Sequence, residues 1–144
     1  MDYDTVPAPV FGHALRAISV NLLVADVTRQ VAFLQRVLGM TAHRVSADFA
    51  IMLHAGQPFQ LHADHTYHSH PLLSLLPEAG PRGGGIELRL HEADPDLACA
   101  QAAGFEGAVI LQAATDKTNH GLREAVILCP NGYAWVPSCR IGAT

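Results

Sequence analysis

The chain has 144 residues, of which 49% are apolar and 15% charged, so it is expected to fold around a buried core rather than stay disordered. Its 9 Lys and Arg residues are outnumbered by 13 Asp and Glu, and Lys117 is the one lysine. This balance excludes binding to the nucleic acid backbone, and the lack of any run of about eighteen apolar residues excludes a membrane span.

The start of the chain and the cysteines indicate a cytoplasmic protein. Asp2 and Pro7 belong to an acidic, proline-containing beginning that is unlike a signal peptide. Cys99, Cys129 and Cys139 are widely spaced and odd in number, which favours free thiols in a reducing compartment over a disulfide framework. Neither a nucleic acid nor a membrane is expected as a partner.

The first half of the chain predicts a strand, a helix and three further strands after a lead-in over 1–12 that has no strong periodicity. The first strand is predicted over 18–24. Asp26 can accept hydrogen bonds from free backbone N–H groups and so cap a helix over 27–38, which Gly39 is placed to end. The later strands are predicted over 40–46, 49–54 and 59–63, with a turn at 55–58 between the last two.

The second half repeats this order. A linker over 81–85 leads to a strand over 86–90, and Asp94 followed by Pro95 predicts the start of a helix that runs to Ala103 and ends at Gly104. Three strands are predicted over 107–112, 123–129 and 133–137, with a turn at 130–132 between the last two.

The two halves match in spacing as well as in order. Gly39 and Gly104 lie 65 residues apart, and Ser19 and Gly85 lie 66 apart. We therefore predict an α+β fold in which two βαβββ modules form a single domain over 1–144. Module one covers about 13–70, a linker about 71–84, and module two about 85–140. Two unrelated α+β halves are the alternative.

Two stretches of sequence carry a resemblance to a known family. Residues 121–125 (Gly-Leu-Arg-Glu-Ala) lead into 129–133 (Cys-Pro-Asn-Gly-Tyr), and residues 21–26 (Asn-Leu-Leu-Val-Ala-Asp) lead to Val-Leu-Gly at 37–39. The chain resembles the vicinal oxygen chelate superfamily, also called glyoxalase/bleomycin resistance protein/dioxygenase-like, over roughly 16–137. In that family the hairpin at 129–133 usually begins with aspartate, and here it begins with Cys129.

The resemblance implies a fold and an assembly more strongly than an activity. The family includes isomerases, dioxygenases, epimerases, thiol transferases and non-catalytic antibiotic binders, so fold alone does not identify the reaction. Modules of this kind frequently pair across two chains, and the resemblance therefore implies a homodimer.

The resemblance also implies where a metal would be held. Enzymes of the family place ligands at four strand positions, which correspond here to Ser19, Gln60, Gly85 and Val136. A divalent site needs at least three carboxylate, imidazole or thiolate donors, and these four residues do not provide them. No metal at the usual site and no other cofactor are therefore expected.

Each half-sheet is expected to bury one face under its helix and to leave the other face for a cleft between the modules. Strand alternation predicts that polar side chains line this cleft, and an unpaired buried polar group costs about 1–3 kcal/mol. One interpretation is a ligand-binding floor. The other is a structural ion-pair network with Arg89 between Glu87 and Glu124. The predicted lining is Ser19, Asn21, Gln60, His62, Asp64, Glu87, Arg89 and Glu124.

Two further segments are rich in candidate groups. Residues 62–71 contain four histidines, and three interpretations stay open: a polar loop, ligand contacts or acid–base groups, and a relocated metal site using His62, Asp64, His65 or His70. A loop over 115–121 is expected either to close over the ligand with Lys117 and His120 or to be a plain connection.

These predictions converge on three hypotheses. The first is a metal-independent binding protein for a small, polar, nitrogen-containing ligand, with Glu87 and Glu124 suiting a cationic group. The second is a lyase- or isomerase-type enzyme, with His62 and Glu124 as candidate proton-transfer residues or with a divalent metal held by residues 62–70. The third is a purely structural module.

Overall fold

The computed structural model describes residues 1–142, and the chain divides into two compact units. The first comprises Met1–Gln35 and Met40–Leu75, and the second comprises Arg36–Gly39 and the chain from Leu76 onward. The first unit thus extends beyond the predicted module of about 13–70 at both ends. The single domain predicted over 1–144 includes residues 143 and 144, which lie outside the described residues.

The first unit contains a four-stranded mixed sheet. Its elements are α1 (Ala8–Ala14), β1 (Asn21–Val24), α2 (Val27–Leu38), β2 (Thr41–His43), β3 (Phe49–His54) and β4 (Gln57–Ala63), followed by two short 3₁₀ turns, Asp64–Tyr67 and Pro71–Leu75. The strand order is β1-β4-β3-β2, with β1 parallel to β4 and the other pairs antiparallel.

The helix α2 has the predicted bounds, 27–38. Asp26 accepts a hydrogen bond from the Arg29 backbone N–H at 3.0 Å, and this bond is the main reason that the pKa of Asp26 is lowered. Gly39 follows the helix with a φ of +66°, the left-handed conformation that ends helices at low cost in glycine. Phe33 and Leu34 of α2 are fully buried and form part of the core.

The strands of the first unit differ from the predicted ones at their ends. β1 starts three residues later than the predicted position 18, after Ala17 with a φ of +57°, and β2 stops before Arg44 with a φ of +52°. The turn predicted over 55–58 is shorter, because Ala55 and Gly56 both have positive φ and form a two-residue hairpin turn. β4 therefore begins at Gln57.

The N-terminal residues, for which the sequence left both an ordered and a frayed lead-in open, form a packed segment. Val6 and Phe11 are buried with Ile51 of β3 in one apolar cluster, and Phe49 packs against it. Asp4 accepts from the Arg44 backbone N–H at 3.0 Å and pairs with the His43 Nδ1 at 3.0 Å. The hydrogen bond with His43 is the main cause of the lowered pKa of Asp4.

The second unit repeats the first. Its elements are β5 (Glu87–Leu90), α3 (Pro95–Ala103), β6 (Val109–Lys117), β7 (Leu122–Leu128) and β8 (Ala134–Arg140), with strand order β5-β8-β7-β6 and β5 parallel to β8. Asp94 caps α3 by accepting from the Leu97 N–H at 3.0 Å, as predicted. The predicted α+β fold of two βαβββ modules is confirmed.

β6 is longer than predicted and contradicts the loop expected over 115–121. The strand continues to Lys117, where Thr115 pairs with Glu124 and Lys117 with Leu122 on β7. Its pairing shifts register twice between Ile110 and Thr115, and such irregularities obscure a two-residue alternation in sequence. No helix in residues 1–142 has the length and apolar character needed to cross a membrane.

Replacing Phe11 tests whether the N-terminal segment belongs to the fold. We expect Phe11→Ala to lower the free energy of unfolding by about 3 kcal/mol, because it removes a buried ring from the cluster with Val6 and Ile51. Val10→Ala on the same helix is the control, since Val10 is 49% exposed. Urea unfolding measures both, and equal small losses would contradict the packing described.

Candidate functional site

Strand register gives each sheet one apolar face and one face with polar side chains. In the first unit Leu61 lies beside Leu22 and Ala50, all at least nine-tenths buried. The next positions along these strands, Asn21, Gln60 and Ile51, point to the opposite face, because side chains alternate along a strand. Val6 and Phe11 of the N-terminal segment cover Ile51 there, whereas Asn21 is exposed and Gln60 is half-buried. We call the face that carries Gln60 in the first unit, and the face that carries Arg89 in the second, the open face of that unit.

The open face of the second unit carries an ion-pair triad. The Arg89 Nη1 donates to Glu87 Oε2 at 2.8 Å, and its Nη2 donates to Glu124 Oε2. Glu124 is only 7% exposed, whereas the side chain of Glu87 is 56% exposed. The hydrogen bond that Arg89 donates to Glu124, followed by the one it donates to Glu87, holds the pKa of Arg89 above its usual range.

The triad has a structural role whatever else it does. A buried carboxylate is costly unless it is paired and hydrogen-bonded, and Arg89 supplies that pairing for Glu124. With two carboxylates and one guanidinium, the triad keeps one net negative charge. The predicted ion-pair network is therefore present, and the exposed carboxylate of Glu87 remains accessible beside it.

The open face of the first unit carries a histidine among polar and aromatic side chains. The His62 Nε2 lies 3.2 Å from Gln60 Oε1, and Asn21 Nδ2 donates to Tyr67 Oη at 3.4 Å. The His62 ring contacts Phe49 at 5.1 Å and Tyr67 at 5.3 Å between centroids. Burial lowers the pKa of His62, which favours the neutral ring with one donor and one acceptor nitrogen.

Sequence reasoning did not single out Tyr67 and Phe49 as site residues. Tyr67 lies on the 3₁₀ turn that follows β4, so strand alternation gives no indication of its direction. Phe49 occupies the β3 position paired with His62, and the register that brings them together comes from the hairpin turn. An aromatic residue at the start of a strand was the available signal, and it fits a core position equally well.

The histidine-rich segment does not gather into one group. β4 ends at Ala63, so Asp64 begins a 3₁₀ turn rather than sharing a strand face with His62, which corrects that expectation. His65 pairs with Asp48 at 2.8 Å on the surface, and His70 Nδ1 accepts from a backbone N–H. Within residues 1–142, no three His, Cys, Asp or Glu side chains form a group suited to hold a metal.

The remaining candidates lie apart from both groups. Ser19 is exposed and precedes β1. His120 is exposed in the turn between β6 and β7, where its backbone N–H donates to the Lys117 carbonyl at 3.2 Å. The Lys117 Nζ donates to Gln112 Oε1 at 3.2 Å along β6, so residues 115–117 of the expected loop are part of the sheet and 118–121 form the turn.

Several solved structures superpose on most of this chain. A glyoxalase/bleomycin resistance protein/dioxygenase family enzyme from Burkholderia phytofirmans PsJN superposes with a TM-score of 0.69 at 19% identity, covering 85% of this chain and 96% of that one. A glyoxalase-related enzyme from Fulvimarina pelagi gives 0.68 at 13% identity, covering 88% and 90%. This chain has the glyoxalase/bleomycin-resistance fold.

A third structure supports the same assignment. A glyoxalase/bleomycin resistance protein/dioxygenase from Nocardioides superposes with a TM-score of 0.62 at 16% identity, covering 92% of this chain and 90% of that one. The sequence matches no protein-family model and no curated protein. The resemblance inferred from the sequence is thus confirmed at the level of the fold.

The metal positions of the glyoxalase/bleomycin-resistance fold do not suit a metal in this chain. The side chains at these positions are the hydroxyl of Ser19, the amide of Gln60, the single hydrogen of Gly85 and the isopropyl group of Val136. Val136 is also fully buried. Divalent ions in such folds need several carboxylate, imidazole or thiolate donors. These four residues do not fit a metal, and the polar groups described on the open faces form hydrogen bonds and ion pairs.

A double-mutant cycle tests the triad. We expect Arg89→Met to cost about 1–3 kcal/mol of unfolding free energy, because it leaves the buried Glu124 carboxylate unpaired. Adding Glu124→Gln should recover at least about 1 kcal/mol of that loss, since contacting groups are not additive. The exposed Arg16→Met is the control. Urea unfolding measures each variant. A double variant whose loss of unfolding free energy equals the sum of the two single losses would contradict the pairing.

Proposed function

We propose that this chain is a metal-independent small-molecule binding protein resembling the bleomycin-resistance branch, whose ligand binds on the open sheet faces. One observation carries the proposal: these faces bear hydrogen-bonding and charged side chains, and the four positions that the resemblance implies for metal ligands carry too few donors for a metal. Gln60 and His62 occupy the first unit, and Arg89 with its two carboxylates occupies the second. A cleft shared by both modules stays a prediction from the repeat.

The charges favour a ligand with a cationic or hydrogen-bond-donating group. The triad of Glu87, Arg89 and Glu124 keeps one net negative charge, and Glu87 is its accessible member. Charge-assisted hydrogen bonds to a carboxylate are roughly twice as strong as neutral ones. The open face of the first unit carries amides and an imidazole, which suit the polar atoms of a ligand bound on that face.

An enzyme of the lyase or isomerase type is the second candidate, and one observation favours it. His62 is half-buried with a pKa lowered by burial, which favours the neutral imidazole that a general base needs. Glu124 is less suited to proton transfer, because its buried carboxylate is held by Arg89. Turnover of a substrate that is lost in the His62→Gln variant and kept in the His13→Gln variant would support this candidate.

The homodimer and the cytoplasmic location are also proposals. They rest on the resemblance and on the cysteine pattern, respectively. A purely structural role for the module is the contrasting possibility, and it requires that no ligand depend on the open faces.

A thermal-shift screen of small polar amines and amides tests the binding proposal. We expect at least one compound to raise the melting temperature, and Glu87→Gln to weaken its binding about tenfold, since losing a charged hydrogen bond costs about 1.5 kcal/mol or more. Glu92→Gln removes another exposed carboxylate and serves as the matched control.

Two outcomes would overturn the proposal. The first is that no compound stabilises the protein. The second is that every stabilising compound binds Glu87→Gln and His62→Gln as tightly as the unchanged chain.

A further inference from the structure

The second unit contains a pocket of about 490 Å³. Glu87 and Gly85 are the predicted site residues that line it. Its apolar lining includes Ile86, Leu111, Leu128 and Ala134. Leu128 and Ala134 pair across β7 and β8, and Ala134 pairs with Glu87 on β5, so the pocket lies on the open face at the end where Glu87 stands. The volume falls within the range of about 300–1,000 Å³ typical of small-molecule sites.

One wall of the pocket is the glycine-rich stretch 81–85, which the sequence indicated only as a linker. The stretch is docked on the turn before β8, where Arg82 N–H donates to the Asn131 carbonyl at 3.3 Å and Gly83 N–H donates to the Gly132 carbonyl at 3.2 Å. A Cβ on Gly83 would lie 2.8 Å from the Tyr133 ring. Glycine is therefore required for this close approach, and the wall is held in place before any ligand arrives.

Two large apolar side chains at the pocket are exposed. Ile86 and Leu111 each expose 59% of their surface. Both line the same pocket, so one apolar group bound there covers them together. Because the pocket is concave and of ligand size, the group that fits it is the apolar body of a small molecule.

The charge at the pocket selects which small molecule fits. Glu87 is the charged residue among those lining the pocket, and its triad keeps one net negative charge. Arg82 does not line the pocket and has its own partner. The backbone of Lys117 pairs with Leu122 at the other end of the open face, and its Nζ is held by Gln112 Oε1 at 3.2 Å. Glu87 is therefore the charged group that a ligand in the pocket meets.

We propose that this pocket binds the apolar body of a small organic amine whose ammonium group meets Glu87. The inference rests on the proposed binding function. It specifies the class of the ligand and the place where the apolar part of the ligand binds. Neutral amphiphiles should bind more weakly, and carboxylates weakest, because the carboxylate of Glu87 repels them.

Three fluorescent probes with the same naphthalene body test the inference: dansylcadaverine with an ammonium, N-butyl dansylamide without charge, and dansylglycine with a carboxylate. We expect dansylcadaverine to bind with enhanced, blue-shifted emission, and about tenfold more tightly than the neutral probe. Gly84→Leu should weaken it at least about tenfold, because Gly84 lines the pocket and a Cβ there meets no atom within 4 Å.

Gly12→Leu is the matched control, since a Cβ on Gly12 also meets no neighbour and the residue lies on α1. Equal binding by Gly84→Leu and Gly12→Leu, or equal binding of all three probes, would overturn the inference. If dansylcadaverine fails to bind at roughly 1 mM while a screened compound still binds through Glu87, the pocket inference fails alone. If neither binds, both proposals fail.

Discussion

The two-residue alternation of strand side chains is the constraint on which the rest of this structure depends. It places Leu61 with Leu22 in the core of the first unit and turns Gln60 and His62 to the other side. In the second unit it puts buried Trp135 on one face of the sheet. The neighbouring positions on β8, which pair with Glu87 and Arg89, lie on the other face. A shift by one residue would exchange the faces, so the same pairing that stabilises each core also assembles each polar surface.

A polar surface on a sheet is stable only if its charges are compensated. Arg89 does this for Glu124, which is nearly inaccessible to water, and it leaves Glu87 more than half exposed. The network that could have been a purely structural feature thus also leaves an accessible carboxylate. The structural role and the proposed binding role do not compete, because they fall to different carboxylates of the triad. This division connects the stability of the second unit to its proposed function.

Several features could be predicted because local chemistry determines them. Asp26 caps the start of α2, and Gly39 ends the helix with a left-handed turn. The two-residue period predicted that Glu87 and Arg89 share one face of their strand. Packing and irregular backbone decided the rest. The segment around Phe11 is helical because it docks on Ile51, and Tyr67 reaches Asn21 from a 3₁₀ turn that has no sequence period. The linker at 81–85 becomes a pocket wall through contacts with a turn about fifty residues later in the chain.

The most direct test of the central claim, that the ligand binds on an open sheet face, is a crystal structure of the protein with its tightest screened ligand. We expect the ligand's polar atoms within hydrogen-bond distance of Gln60, His62, Glu87 or Arg89. The second unit has a competing cavity of about 820 Å³ lined by His91, Arg123 and Arg140. A ligand bound in that cavity, with the open faces unchanged, would contradict the claim.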